Sequence, residues 1–391
     1  MKKYIVLFCL SFLVYLAHFV IVKHGIYGDG NGYYSLAYTL FVNHNLNLGP
    51  IYNHLSHFPG ASYNFSRVFW NIDPLPSGIL GCPWLIGTAL SWMPAFILPL
   101  PTFSIFYEVL IGMVGIFYMI AGLYFIERTL KIYYSEEISQ LVVYCIYFGS
   151  FIFYYTSLEP ALSHQPSFFL ISLLLYLVLS TRFFSHDKLL YLGICMGLLF
   201  IIRMNDLFFL APITLYVLMK NKKGSQGRIT ALLILLCGIG IGIVPQLLLQ
   251  YKMYGNVLYN PYIQGGKWSF GAPSIVGVGN ILFYLRGGFL TVSPLYVFSL
   301  IGVYRQAIQH GQLINIFKLT AVIFVTYLVF ISSWYIYPPA GFGNRFFIQT
   351  VPFLALGLGS YLSQGVINKG IFFIGNIIWN VSMLALFLAK I

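Results

Sequence analysis

The feature that most constrains this chain is its long apolar runs, beginning with Tyr4–Val22, which holds no Asp, Glu, Lys or Arg. About 20 such residues, coiled as a helix, cross the hydrocarbon core of a bilayer. Backbone polar groups in hydrocarbon must be satisfied internally, so each run is expected to be helical. Only 8% of the 391 residues are charged while 59% are hydrophobic, against about 25% charged in a soluble domain. So few charges cannot cover a water-facing surface. The alternating stretches of about ten residues that mark a transmembrane β-barrel are absent.

The expected fold is therefore all-α and polytopic. The candidate spans are 4–22, 104–126, 138–157, 166–181, 189–202, 207–219, 230–250, 288–303, 319–333, 347–363 and 370–389. The stretch 79–98 is apolar enough to cross but contains Pro83 and Pro94 and is bounded by Pro76, Pro99 and Pro101. Proline removes a helix hydrogen bond and kinks the axis. Charge bias decides between the two readings. With 79–98 lying along the outer face, 13 Lys and Arg fall on the cytoplasmic side and 8 outside; if it crosses, the split reverses. Cytoplasmic loops carry the excess of Lys and Arg, which favours eleven spans. Residues 1–391 then form a single transmembrane domain with no soluble domain. Its outer loop 23–103 carries juxtamembrane helices, a second outer loop covers 251–287, and the C-terminus is outside. Met1-Lys2-Lys3 before the first run fits an uncleaved helix, because no small-residue cleavage site follows. The spans 189–202 and 207–219 each cover only about 20 Å, which places the turn Arg203–Asp206 below the membrane surface.

The net charge of +12 is spread through short loops, the pattern of orientation signals and anionic-lipid contacts and not of nucleic-acid binding. Cys9, Cys82, Cys145, Cys195 and Cys237 lie far apart, mostly in apolar runs, and read as small buried hydrophobes.

Nine acidic residues limit where chemistry can lie. Glu127, Glu136, Glu137 and Asp187 fall on the cytoplasmic side, and Asp29, Asp73, Glu108, Glu159 and Asp206 on the outer side. Asp29 stands in GDGNGYY (28–34), where glycines leave the backbone open to close approach. Asp-Gly is also ordinary turn chemistry. Glu159 and His164 stand in LEPALSHQPSFF (158–169). A carboxylate and an imidazole there suit acid–base work, metal ligation or a sugar hydroxyl, or form a plain interfacial pair. Arg345 stands in GFGNRFF (341–347), at the outer mouth of a span. A guanidinium at headgroup depth suits a phosphate, and equally a snorkelling side chain. Arg203, Lys267 and Arg286 are further outer-side cations. His54 and His57, in a polar loop without a Cys or acidic partner, make a weak metal pair.

Taken in order, these segments resemble the GT-C superfamily of polytopic glycosyltransferases. The bacterial lipid A aminoarabinose and galacturonic acid transferases and the protein O-mannosyltransferases are the nearest in pattern. The resemblance rests on GDGNGYY after the first span, PLPSGILGCPWLIG (74–87), LSHQPSFF, YKMYGNVLYNPY (251–262), LRGGFLTVSP (285–294) and SSWYIYPPAGFGNRFF (332–347). It covers nearly the whole chain. The chain departs from longer members in lacking a C-terminal soluble domain, and from some in having one Asp where they have a paired acidic motif.

The resemblance implies a multi-pass protein of a bacterial cytoplasmic membrane with its active site on the extracytoplasmic side. It implies inverting transfer of a sugar from a polyprenyl-phosphate carrier to a cell-envelope glycan or glycolipid. Asp29 matches the catalytic position, with Glu159 and His164 beside it. Arg345, Arg203, Arg286 and Lys267 would bind the donor phosphate. A divalent metal, if one is used, would be held by Asp29, Glu159 and His164. The alternative class is an O-antigen-type polymerase or a lipid-linked glycan transporter or flippase. Transporters often carry repeats with matching broken helices, and no repeat is visible here. The Asp directly after the first span favours the transferase.

A reporter fused in the loop 220–229 should read as cytoplasmic and one at the C-terminus as extracytoplasmic; the opposite pair of signals overturns the eleven-span orientation.

Overall fold

The computed structural model describes residues 1–56, 78–181, 184–221, 224–259, 271–309, 316–334 and 341–389. Every regular element among them is helical. The chain opens with α1 (Lys2–Val22), α2 (Gly30–Phe41), α3 (Gly49–Ser56), α4 (Ile86–Ser91) and a 3₁₀ turn at Met93–Phe96. Then come α5 (Phe106–Leu130), α6 (Glu136–Phe148), α7 (Ile152–Ser157), α8 (His164–Ser180), α9 (His186–Ile202), a 3₁₀ turn at Met204–Asp206, α10 (Leu207–Lys220) and α11 (Gly224–Tyr254). The remainder is α12 (Ile275–Phe283), α13 (Phe289–Val292), α14 (Leu295–Gln309), α15 (Ile316–Ser332), a 3₁₀ segment Arg345–Thr350, α16 (Val351–Ser363) and α17 (Lys369–Leu388).

Helix occupies each of the eleven apolar runs. Among the described residues, five stretches are long and apolar enough to cross a membrane: α1, α5, α11, the continuous segment Arg345–Ser363, and α17. The run 138–157 is broken at Gly149–Phe151 into α6 and α7, and the run 288–303 at Ser293–Pro294 into α13 and α14. The two breaks face each other. Ser293 Oγ accepts the Phe151 amide at 3.1 Å, and the Tyr296 hydroxyl donates to Ser150 Oγ at 3.2 Å. The Phe151 amide freed by the first break is thus met by a side chain of the second, while the Thr291 and Val292 carbonyls beside the second break accept from Trp379 Nε1 and Asn380 Nδ2. The stretch 79–98 does not form one long helix. It gives α4, six residues and about 9 Å long, followed by the 3₁₀ turn that Pro94 enters.

Charges gather at two opposite ends of the helices. At one end, Glu127 near the close of α5 receives Lys3 and the Tyr4 hydroxyl from α1, and Lys131 at 2.9 Å. Lys131 also reaches Glu136, and Lys369 at the start of α17 meets Glu137 at 2.8 Å. Three of the helices that begin at this end are capped by side chains: Ser135 for α6, Ser185 for α9 and Asn368 for α17. Each cap satisfies an amide with no intrahelical partner. Glu136, Glu137 and Asp187 lie in first turns, where the helix dipole favours a negative charge. These residues are the ones assigned to the cytoplasmic side by charge bias. The other end carries the C-terminus of α1, the N-termini of α5, α8 and α10, and the first-loop helices. There α2, α3 and the 82–96 segment build a separate apolar cluster with Trp84, Trp92 and Tyr34, closed by Ala161, Ile201, Leu249 and Met253.

Helices α9 and α11 run parallel through two facing pairs of glycines. A Cβ at Gly193 or Gly197 would lie 2.4 Å from a carbonyl oxygen of α11, and one at Gly238 or Gly242 2.5–2.6 Å from a carbonyl of α9. Small residues four apart let backbones touch, which is how apolar helices associate without a hydrophobic drive. Gly238→Leu has no space to enter. It should cost about 1–3 kcal/mol or more, visible as a clear loss of thermal stability in detergent, whereas Gly240→Leu, which faces open space, should be nearly neutral.

Candidate functional site

The capped, cytoplasm-assigned end is a set of ordinary ion pairs. The opposite end holds a different arrangement, which begins with Asp29. This residue precedes α2, yet its carboxylate makes no cap bond to that helix. Instead Oδ2 accepts from Arg345 Nη2 at 2.6 Å, across 316 residues. Gly30 makes this approach possible, since a Cβ there would sit 2.5 Å from the Ala161 carbonyl oxygen. The start of α2 therefore lies directly on the 158–163 loop.

Arg345 is presented by a tight turn. Gly341, Gly343 and Asn344 all have positive φ (79°, 67° and 58°), a region that L side chains other than Asn and Asp avoid. A Cβ on Gly343 would meet the Phe151 side chain at 2.6 Å. The GFGN sequence thus folds flat against the α6–α7 break and delivers Arg345 beside Asp29.

Glu159 follows α7 in the same loop, where Oε1 accepts from the Tyr154 hydroxyl at 2.7 Å. Burial pushes its carboxyl up, and the nearby Asp29 charge adds to that; the Tyr154 hydrogen bond and Arg345 pull it back. Glu159 therefore holds a proton more readily than an ordinary carboxylate does.

His164 opens α8 and is 2% exposed. Its Nε2 lies 2.8 Å from Arg203 Nη1, which also donates to Ser163 Oγ at 2.9 Å. A guanidinium only donates, so His164 Nε2 accepts and the ring proton sits on Nδ1. The Gln349 amide lies 3.2 Å from Nδ1. Turning that amide end for end presents its Oε1, otherwise buried without a hydrogen-bond partner among the described residues, to the Nδ1 proton. Arg203 is further held over the Phe346 ring and 3.8 Å from Asp206 Oδ1. Asp206 is fully buried and accepts from Ser167 Oγ at 2.5 Å.

Asp29, Glu159, His164, Arg203 and Arg345 are thus drawn into one cluster at one end of the bundle. Arg203 turns inward, engaged by Ser163, His164 and Asp206, whereas Arg345 keeps a partly open face. No hydrogen bond or ion pair joins Arg286 to the cluster among the described residues; its Nη1 is buried with no hydrogen-bond partner there. Lys267, His57 and Asp73 lie outside the described residues, and His54 stacks on Phe103 at 4.2 Å. A metal held by Asp29, Glu159 and His164 does not fit this arrangement. Among the described residues no three His, Cys, Asp or Glu side chains are grouped to hold one, the His164 ring nitrogens face Arg203 and Gln349, and Asp29 faces a guanidinium.

Three contributors were not singled out from the sequence: Asp206 as an Arg203 partner, Gln349 and Tyr33. Tyr33 links the cluster to the first-loop helices, with its hydroxyl beside Ser163 and its ring edge-on to Trp84. Beyond Trp84 lies an apolar cavity of about 180 Å³ between the 82–85 segment, α9 and α11, lined by Phe200, Met204, Leu249 and Tyr254. A polar residue inside an otherwise apolar run, as at Gln349, is the signal available in the sequence.

No family model, curated protein or solved structure matches this chain.

Asp206 yields a pH prediction. Burial pushes its carboxyl up to about 7, against the pull of Arg203 and the Ser167 hydroxyl. A raised carboxyl makes the folded protein hold a proton that the unfolded chain releases near pH 4, so this residue's contribution falls as pH rises from about 4 to about 7. In detergent, the wild-type melting temperature should drop between pH 5 and pH 8 by more than that of Asp206→Asn. Parallel pH profiles for the two proteins would show that Asp206 ionises as it does in water.

Proposed function

We propose that the chain is an inverting membrane glycosyltransferase of the GT-C type, spanning the bilayer eleven times. It moves a sugar from a polyprenyl-phosphate carrier to a cell-envelope glycan or glycolipid at the extracytoplasmic face of a bacterial cytoplasmic membrane. The observation that carries this reading is the Asp29–Arg345 pair at the charged end of an apolar helical bundle, with Glu159 and His164 behind it. It puts a carboxylate next to a guanidinium able to hold a phosphate, and in this reading that end of the bundle lies at the depth of a lipid carrier's headgroup.

In this reading the acceptor hydroxyl oxygen attacks the anomeric carbon while the bond from that carbon to the phosphate oxygen breaks. The electron pair leaves with the polyprenyl phosphate, and the hydroxyl proton passes to Asp29. Arg345 stabilises the charge that grows on the leaving phosphate. Attack opposite the leaving group inverts the anomeric configuration and needs no covalent enzyme intermediate. Arg203 keeps His164 in one tautomer and orientation, so His164 and Glu159 can position the sugar or the acceptor hydroxyl. The apolar cavity beside Trp84 offers a surface for hydrocarbon close to the cluster.

Asp29→Asn preserves size and removes the basic oxygen. A placed general base contributes roughly 10²–10⁴-fold in rate. With a panel of polyprenyl-phosphate sugars and membrane extracts as acceptor, Asp29→Asn should insert normally and transfer sugar at least about a hundredfold more slowly than wild type. Near-normal turnover in Asp29→Asn with a dead Glu159→Gln would move the base to the 158–163 loop.

A further inference from the structure

The proposed base and the proposed phosphate ligand are bonded to each other. Asp29 Oδ2 is occupied by Arg345 at 2.6 Å, so this oxygen is not free to take a proton from an acceptor. We propose that the carrier phosphate and the Asp29 carboxylate compete for Arg345, so that both Asp29 oxygens are free of the guanidinium, and the carboxylate acts as a full base, only when a lipid phosphate is seated. This inference rests on the transferase reading above and adds to it the order of events at the site.

The geometry favours exchange over a permanent pair. Asp29 is the looser partner, with a side chain 49% exposed against 22% for Arg345. Its carboxylate makes no cap bond to α2, and Arg345 is its hydrogen-bond partner among the described residues. Arg345, in contrast, is fixed by the Gly341–Asn344 turn and by the 3₁₀ segment it begins. Its Nε is buried and has no hydrogen-bond partner among the described residues. One donor of the fork is therefore used by Asp29 while another waits. A phosphate can take two donors of a guanidinium side by side, which the single carboxylate oxygen here does not. Arg203 cannot substitute, because Ser163, His164 and Asp206 already hold it. Seating an anion on Arg345 also sets it against the Asp29 charge, which drives the carboxylate toward the open side where an acceptor would approach. When the phosphate departs, Asp29 gives the proton it took to water at its exposed side and, ionised again, returns to Arg345, which resets the site.

The test is a binding measurement that needs no sugar transfer. Detergent-solubilised wild type, Arg345→Ala, Asp29→Asn and Asp29→Ala are titrated with a short-chain prenyl phosphate, with the matching prenyl alcohol and with inorganic phosphate. The expected result is that Arg345→Ala loses most of the affinity for the prenyl phosphate, while both Asp29 variants bind it about fivefold or more tightly than wild type. The uncharged alcohol should bind all four proteins equally, which also reports that they are folded. Prenyl phosphate affinity that is lost in Arg345→Ala but unchanged or weakened in both Asp29 variants overturns the competition and leaves the phosphate assignment standing. Wild type that binds prenyl phosphate no better than Arg345→Ala does overturns the transferase reading and the competition together. Inorganic phosphate binding as tightly as the prenyl phosphate overturns the lipid as the anion's source.

Discussion

Hydrocarbon leaves a backbone no partner but itself, and most features of this protein follow from that constraint. Apolar runs become helices because an unpaired amide or carbonyl in lipid costs several kcal/mol. Helix ends, with their unpaired groups, must then lie at the two faces or be met by other protein. Both solutions are present. Ser135, Ser185 and Asn368 cap helices at one face. In the interior, the breaks at Gly149–Phe151 and Ser293–Pro294 are stitched together by Ser293 and Ser150. The same constraint sorts charge. Glu127, Glu136 and Glu137 collect lysines at one end, and Asp29, Glu159, Asp206, Arg203 and Arg345 collect at the other.

The two collections differ in kind. At the first end, Lys369–Glu137 and Lys131–Glu136 are open to solvent, which screens their attraction. At the second, Asp206 is fully buried and Glu159 is held back from ionising by its surroundings. Buried ionisable groups of this sort are destabilising unless fully partnered. A chain with nine acids that places several of them in costly positions at one end is accepting strain there for a purpose. The Arg345 Nε, which has no hydrogen-bond partner among the described residues, belongs to the same end.

The helices and their approximate limits were legible because hydrophobic length is a strong signal. Run 4–22 became Lys2–Val22, and 370–389 became Lys369–Leu388. Residues that charge bias assigns to one side meet one another: Lys3 and Lys131 meet Glu127, and Lys369 meets Glu137. The interruptions at Ser150 and Ser293 were not legible, because a serine in an apolar run is tolerated in a continuous helix as well. The glycine pairs 193/197 and 238/242 stand in the sequence with the spacing of close helix contacts, but spacing does not say which helix faces which. In the site, Asp29, Glu159, His164 and Arg345 stood out as rare polar residues beside helix breakers. Their pairing did not, since it depends on Gly30 allowing α2 onto the Ala161 carbonyl, an approach across 131 residues.

Arg203 and Arg345 show why charge type and depth do not by themselves assign a role. In sequence both are outer-side arginines near the mouth of a span. Arg203 follows α9 in extended conformation and points into a ring of acceptors: Ser163, His164 and Asp206. Its hydrogen-bonding capacity is directed at protein, and what it controls is the His164 ring, whose tautomer it dictates by offering only donors. Arg345 follows a turn with three positive φ values, and its ion-pair partner among the described residues is one half-exposed carboxylate. A ligand anion competes far more easily with that single carboxylate than with three inward contacts on a nearly buried side chain. The division of labour between the two arginines is therefore set by the backbone that carries them: an extended residue that turns one inward, and a glycine turn that holds the other at the open side of the site.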